Sequence, residues 1–162
     1  MTTSADVGVE ALVAPHEIDY TYTRSTGPVI GAFLGGLREK RIIGARGSDG
    51  RVLVPPSDYD PVTSDDLTEL VEVGTSGVVQ TWAWNASPLE GQPLDKPFAW
   101  ALVKLDGADT GLLAAVDAGS ADKVTTGMRV TARFAETPAG TIRDLVFFVP
   151  EAEVVSSVPE GA

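Results

Sequence analysis

The segment RIIGARGSDGRVLVPPSDYDPVTSDDL, Arg41 to Leu67, has the punctuation of a small metal-binding knuckle: glycine turns, a Pro-Pro pair and a second turn. A soft tetrahedral metal site needs thiolates or imidazoles at such turns. The chain has no cysteine and one histidine. That composition also removes disulfides and cysteine nucleophiles. The histidine, His16, lies in an N-terminal stretch without periodicity, whereas a Ser-His-Asp base must be held by packed neighbours. It reads as an exposed bystander. Asp58, Asp60, Asp65 and Asp66 carry the oxygen chemistry of a hard-cation site, but without the EF-hand spacing or its central glycine they read as a solvated acidic loop. The glycines of TGPVIGAFLGG and GTSGVV come without a Walker lysine or a G-x-G-x-x-G frame, so no nucleotide site is expected. Trp82, Trp84 and Trp100, with Phe98, have three readings: a stacking platform for single strands, an aromatic barrel core, or anchors at a protein interface. The acidic balance of the chain disfavours the first.

The chain has 162 residues, 43% of them hydrophobic, and a net charge of -11. It can bury a core of its own. Partners built on phosphate backbones or anionic lipid need clustered Lys and Arg, so neither nucleic acid nor membrane is expected. MTTSADVGVEALVAP lacks the basic and apolar regions of a signal peptide, and no apolar run reaches the length of a membrane span. A cytoplasmic location is the expectation.

These residues must be positioned by surrounding elements. Residues 1–23 are read as an extended arm, 24–67 as a helix plus the knuckle segment, 68–150 as a β domain and 151–162 as a loose tail. In TGPVIGAFLGGLREKRI, Pro28 suits a first helical turn, and Val29, Ile30, Phe33, Leu34 and Leu37 fall on one face. Gly35 and Gly36 each cost about 1 kcal/mol against alanine, which close packing would explain. The apolar face either covers the chain's own core or docks on a partner. Glu69 to Asn85 reads as one long strand bent at Gly74 or Gly77. PFAWALVKLDG is nearly continuously apolar, as in a strand covered on both faces. GLLAAVD follows, then a short polar crossover. MRVTARFAE alternates, with Met128, Val130, Ala132 and Phe134 inward. TIRDLVFFVPE ends at Pro150. Five strands with a long first strand and a connector after the third predict a mainly β, five-stranded Greek-key barrel of the OB type, with a small sandwich as the alternative.

The order of these motifs resembles the DUF35 family, zinc-ribbon plus OB-fold proteins associated with acyl-CoA metabolism. Arg46 and Asp49 stand where that family has its first cysteine pair, Gly50 matches the glycine after it, and Pro55-Pro56 matches the Pro-Pro. Asp60 and Thr63 stand at the second pair, and Gly127-Met128-Arg129-Val130 matches the opening of the fourth barrel strand. The resemblance runs from about residue 24 to 150. It implies a degenerate ribbon without structural zinc, because Arg, Asp, Asp and Thr do not form a soft closed donor set. An Arg46 pair with Asp49 or Asp60 is expected to replace part of the cross-link.

The same resemblance implies an accessory role without catalytic residues of its own. The expected partner is a thiolase-like or lipid-transfer-protein type aldolase subunit of steroid side-chain degradation, in a two-plus-two heterotetramer, with an enoyl-CoA hydratase as a further associate. The chain is expected to stabilise that enzyme and to help form its acyl-CoA channel, with a CoA thioester at the partner interface. Interface candidates are Phe33, Leu34, Leu37, Pro55, Pro56, Trp82 and Trp84. The densest basic run, Arg38, Lys40, Arg41, Arg46 and Arg51, is the candidate for CoA phosphates, for an acidic partner surface, or for plain solvation. The alternative function is an independent OB-fold module for acyl-CoA or single-stranded nucleic acid.

Overall fold

A computed structural model of the chain describes residues 14–21 and 25–151. Most of the N-terminal stretch and of the tail read above as arm and loose end lies outside these residues. Helix α1 spans Gly27–Arg38, with Pro28 in its first turn. It stops where the Glu39 N–H turns back onto the Gly35 and Gly36 carbonyls and Lys40 takes φ 61°. Val29, Phe33 and Leu37, spaced one turn apart, are all buried. Phe33 and Leu37 join the main core, whereas Val29 packs in a second, small cluster with Ala45, Leu53 and Leu67. The helix therefore pins the knuckle segment to the β domain. Of the two readings of its apolar face, the structure adopts the chain's own core. No helix among the described residues is long and apolar enough to cross a membrane.

The knuckle segment contains strands that its turn-rich sequence hides. β1 (Ile42–Arg46) is central in a sheet of order β2-β1-β3, with β2 at Val52–Leu53 and β3 at Leu70–Val73. The expected single strand from Glu69 to Asn85 is thus two. β3 pairs with β1, and β4 (Ser76–Asn85) opens the barrel. The break lies at Gly74, whose N–H bonds the Asp106 carbonyl at 2.8 Å. Gly77 sits against backbone too: a Cβ there would lie 2.4 Å from the Lys104 carbonyl oxygen.

The remaining strands are β5 (Phe98–Leu105), β6 (Gly111–Val116), β7 (Arg129–Phe134) and β8 (Leu145–Pro150). They close a barrel of order β4-β5-β6-β8-β7, the OB arrangement. Its interior holds Val79, Val103, Val116, Val130 and Phe148, each without solvent exposure. β7 keeps the expected orientation: Val130 and Ala132 are buried, and Met128 and Phe134 pack partly buried against the same core. β5 departs from expectation. It is covered on one face, and on the other Leu102 and Lys104 reach solvent. The run looked continuous because Trp100 and Leu102 are apolar on the outer face as well.

Four hydrogen bonds join the two sheets. The Val52 N–H donates to Asp109 Oδ2 at 2.9 Å and the Asp109 N–H to the Val52 carbonyl at 2.8 Å. Val54 N–H donates to Thr110 Oγ1 at 2.7 Å, and that hydroxyl donates to the Val54 carbonyl at 3.0 Å. The β5–β6 turn is thereby held against the knuckle segment. Arg129 adds a fork to Asp106 at 2.7 Å on each nitrogen and reaches Glu151 at 2.9 Å.

Candidate functional site

The two turns of the knuckle segment come together around Asp60. Its side chain is buried, 4% exposed, so it is not the solvated residue its acidic neighbours suggested. Oδ2 accepts the backbone N–H of Ser48 in the first turn. Oδ1 accepts the N–H of Val62 at 2.7 Å and of Thr63 at 3.2 Å in the second. A carboxylate that accepts several backbone N–H bonds is stabilised in its charged form. The Ser48 N–H, followed by that of Val62, holds the Asp60 carboxyl down at about 2. Gly47 permits the approach, because a Cβ there would lie 3.4 Å from Asp60 Oδ2 and 3.2 Å from Asp49 Oδ1.

The expected Arg46 cross-link takes a different form. Arg46 pairs with Glu69, the residue before β3, at 2.8 Å and donates to the Gly50 carbonyl at 2.9 Å. Asp49 pairs with Arg51, whose N–H and guanidinium hold its carboxyl below the usual range. Asp60 alone spans both turns, through backbone N–H groups rather than through Arg46. Arg46, Asp49, Asp60 and Thr63 do not make a tetrahedral thiolate-type donor set: one is a cation and another already has its oxygens on three N–H groups.

The basic run is largely neutralised. Arg41 pairs with Glu39 and Glu72, Arg46 with Glu69 and Arg51 with Asp49. Arg38 and Lys40 remain exposed without an ion pair among the described residues. Of the interface candidates, Phe33 and Leu37 are 3% and 0% exposed and cannot reach a partner. Pro56 is also buried; Pro55, on the cis Val54–Pro55 bond, is exposed. Leu34, Trp82 and Trp84 are partly buried against the core and retain an outer surface. Phe98 is interior and meets Trp100 edge-on at 5.1 Å. His16 is exposed.

Two concavities flank these residues. A shallow groove lies between α1 and the small sheet, lined by Ala32, Gly35, Arg41, Ile43 and Leu70. A Cβ on Gly35 would meet nothing within 4 Å, whereas one on Gly36 would lie 2.7 Å from Ile43 Cγ1. Gly36 therefore answers the close packing expected of the glycine pair, and Gly35 leaves an open notch. The second is a cleft of about 390 Å³ between β6 and β8, lined by Trp100, Leu113, Ile142, Arg143 and Val146 among others. Sequence patterning gave no sign of it, because Leu113 and Ile142 sit in runs that read simply as strand.

Each carboxyl displaced from its ordinary value is displaced downward, by a guanidinium, a hydroxyl or a backbone N–H. Asp144 is an instance: the N–H groups of Ala139, Gly140 and Thr141 hold it ionised in the turn before β8. Such carboxylates are structural acceptors, whereas a general acid at neutral pH has its pKa raised.

Residues 70–135 match the family model described as the C-terminal OB-fold domain of ChsH2. The chain resembles the DUF35 proteins. A DUF35 protein of unknown function from Sulfolobus solfataricus has the same fold at TM-score 0.58 and 22% identity, over 78% of this chain and 85% of that one. The Ltp2-ChsH2(DUF35) aldolase matches at TM-score 0.57 and 22% identity, over 78% of this chain and 98% of that one. No curated protein sequence matches. Both solved structures match over 78% of the chain, a longer stretch than the barrel alone.

Proposed function

We propose that this chain is the DUF35-type partner of a thiolase-like aldolase and supplies no reacting group itself. The observation that carries the reading is the match of residues 70–135 to the C-terminal OB-fold domain of ChsH2, a protein whose solved relative is an aldolase assembly with Ltp2. Retro-aldol cleavage needs a base for the β-hydroxyl and stabilisation of a thioester enolate. The downward-shifted, backbone-bound carboxylates described above suit neither task, so both belong to the partner in this reading.

In the same reading the chain stabilises the aldolase, helps form its acyl-CoA channel, and joins it in a two-plus-two assembly on the symmetry of a thiolase-type dimer. The substrate class is a steroid side-chain acyl-CoA. Arg38 and Lys40, the members of the basic run left without ion pairs, are the groups available to CoA phosphates. The knuckle segment is the remnant of a metal-binding ribbon in which Asp60 has taken over the cross-link. Co-expression with a lipid-transfer-protein type thiolase-fold subunit tests the reading: a complex of defined mass with aldolase activity absent from this chain alone is expected. A chain that stays monomeric beside that subunit contradicts it.

A further inference from the structure

Strand β6 pairs with β5 along its whole length, from Lys104↔Gly111 to Ala99↔Val116. On its other side it meets β8 at one position, Val116↔Phe148, in parallel. From there the two strands part, and among the described residues Gly111–Ala115 have no ladder partner on that side. The cleft of about 390 Å³ fills the divergence. Exposed strand edges are normally guarded by lysine, proline or a bulge. Here the edge reads GLLAAV, without charge or proline, and its pairing with β5 runs without a register shift. Its surroundings are apolar: Leu113 is 62% exposed and Ile142 in the cleft lining 54%, while Leu112, Ala114 and Ala115 are buried in the wall of the cleft.

Charge gives the surface a sign. The chain carries a net charge of -11, yet Arg143 stands in the wall of the cleft, and Lys104 lies on β5, in register with Gly111 on the paired side of β6. Neither makes an ion pair among the described residues, whereas Arg41, Arg46, Arg51, Lys96 and Arg129 all do. An apolar edge with an uncommitted guanidinium in the facing wall complements an apolar segment bearing carboxylate. An acyl chain would fill the cleft but leave the strand's backbone groups without partners, which an extended peptide satisfies.

We propose that the unpaired edge of β6, Gly111–Ala115, receives an extended apolar segment of the partner subunit, carrying a carboxylate toward Arg143, as an added strand. The partner's identity rests on the function proposed above; the edge and its chemistry do not. The test compares amide hydrogen exchange of the full chain alone and in complex with the co-expressed thiolase-fold subunit, together with the affinities of Leu113→Lys, Arg143→Glu and the distant surface control Lys123→Glu. The expected result is slowed exchange at 111–115 on complex formation, at least tenfold weaker binding for L113K and R143E, and unchanged binding and Tm for K123E, with the Tm of L113K also kept. A complex that forms with unchanged exchange at 111–115 and unaffected L113K overturns the inference and leaves the proposed function standing. Failure to form any complex contradicts the proposed function instead. Protection of the same amides by an acyl-CoA alone, or by self-association that L113K abolishes, assigns the edge to another occupant and overturns the proposal.

Discussion

The carboxylate of Asp60 accepts the backbone N–H of Ser48, twelve residues earlier in the chain, while its second oxygen holds Val62 and Thr63. One side chain thus ties the two turns whose sequence suggested a metal knuckle. Arg46, the residue expected to make that tie, instead fastens β1 to β3 through Glu69.

Acid unfolding follows from this tie. The folded carboxyl lies at about 2, below the unfolded value of about 3.9. Its contribution to stability is therefore complete above about pH 4 and is lost as the pH falls toward 2. Asp60→Asn should lower Tm by several degrees at pH 7, because an amide turns a donor toward one set of N–H groups. Its Tm should also fall less than that of the native chain between pH 5 and 2.5. Parallel acid profiles for the two proteins, followed by circular dichroism, would show that Asp60 does not carry the linkage.

The ribbon reading has a constructive test. Arg46→Cys, Asp49→Cys, Asp60→Cys and Thr63→Cys together should restore a thiolate site. Bound Co(II) should then show the visible absorption of tetrahedral thiolate coordination, and metal should raise Tm. A quadruple variant that takes up no cobalt would mean that these four positions do not converge.

The glycine pair of α1 should split in its response. At Gly35 nothing stands within 4 Å of a new methyl group, so Gly35→Ala should stabilise the chain by about 0.5–1 kcal/mol in urea denaturation. At Gly36 the methyl group meets Ile43 and the Arg41 carbonyl, and Gly36→Ala should cost about 1–3 kcal/mol. Loss of partner binding in the more stable Gly35→Ala would place the notch at an interface.

The junction of the two sheets depends on a hydroxyl. Thr110→Val keeps the shape of the side chain but removes both bonds to Val54. An unsatisfied, partly buried N–H should cost about 1–3 kcal/mol, read as a lower urea midpoint with an unchanged m-value.

Much of this architecture was legible in the sequence. The alternation of Val130 and Ala132, the apolar spacing of Phe33 and Leu37 and the stop at Pro150 each report local periodicity. What the sequence concealed is long-range. β1 and β2 lie among Gly, Ser and Asp residues that read as turn, and their pairing depends on partners far along the chain, such as Asp109 and Thr110. Gly74 marked the bend expected in a single strand, but not that the strand changes sheets there. The outer-face Leu102 looked like an interior residue, since hydrophobicity alone does not tell a covered face from an open one. Asp60 is spelled like its solvated neighbours, and only the convergence of three N–H groups separates it from them.

In the proposed function this chain is the partner of an aldolase and supplies no reacting group. The most direct test is light scattering coupled to size exclusion on the chain co-expressed with a lipid-transfer-protein type thiolase-fold subunit, with retro-aldol activity assayed on each fraction. One heteromeric peak with a mass matching two copies of each chain is expected, with activity in that peak and none from this chain alone. Separate peaks for the two proteins, or retro-aldol turnover by this chain in isolation, would contradict it.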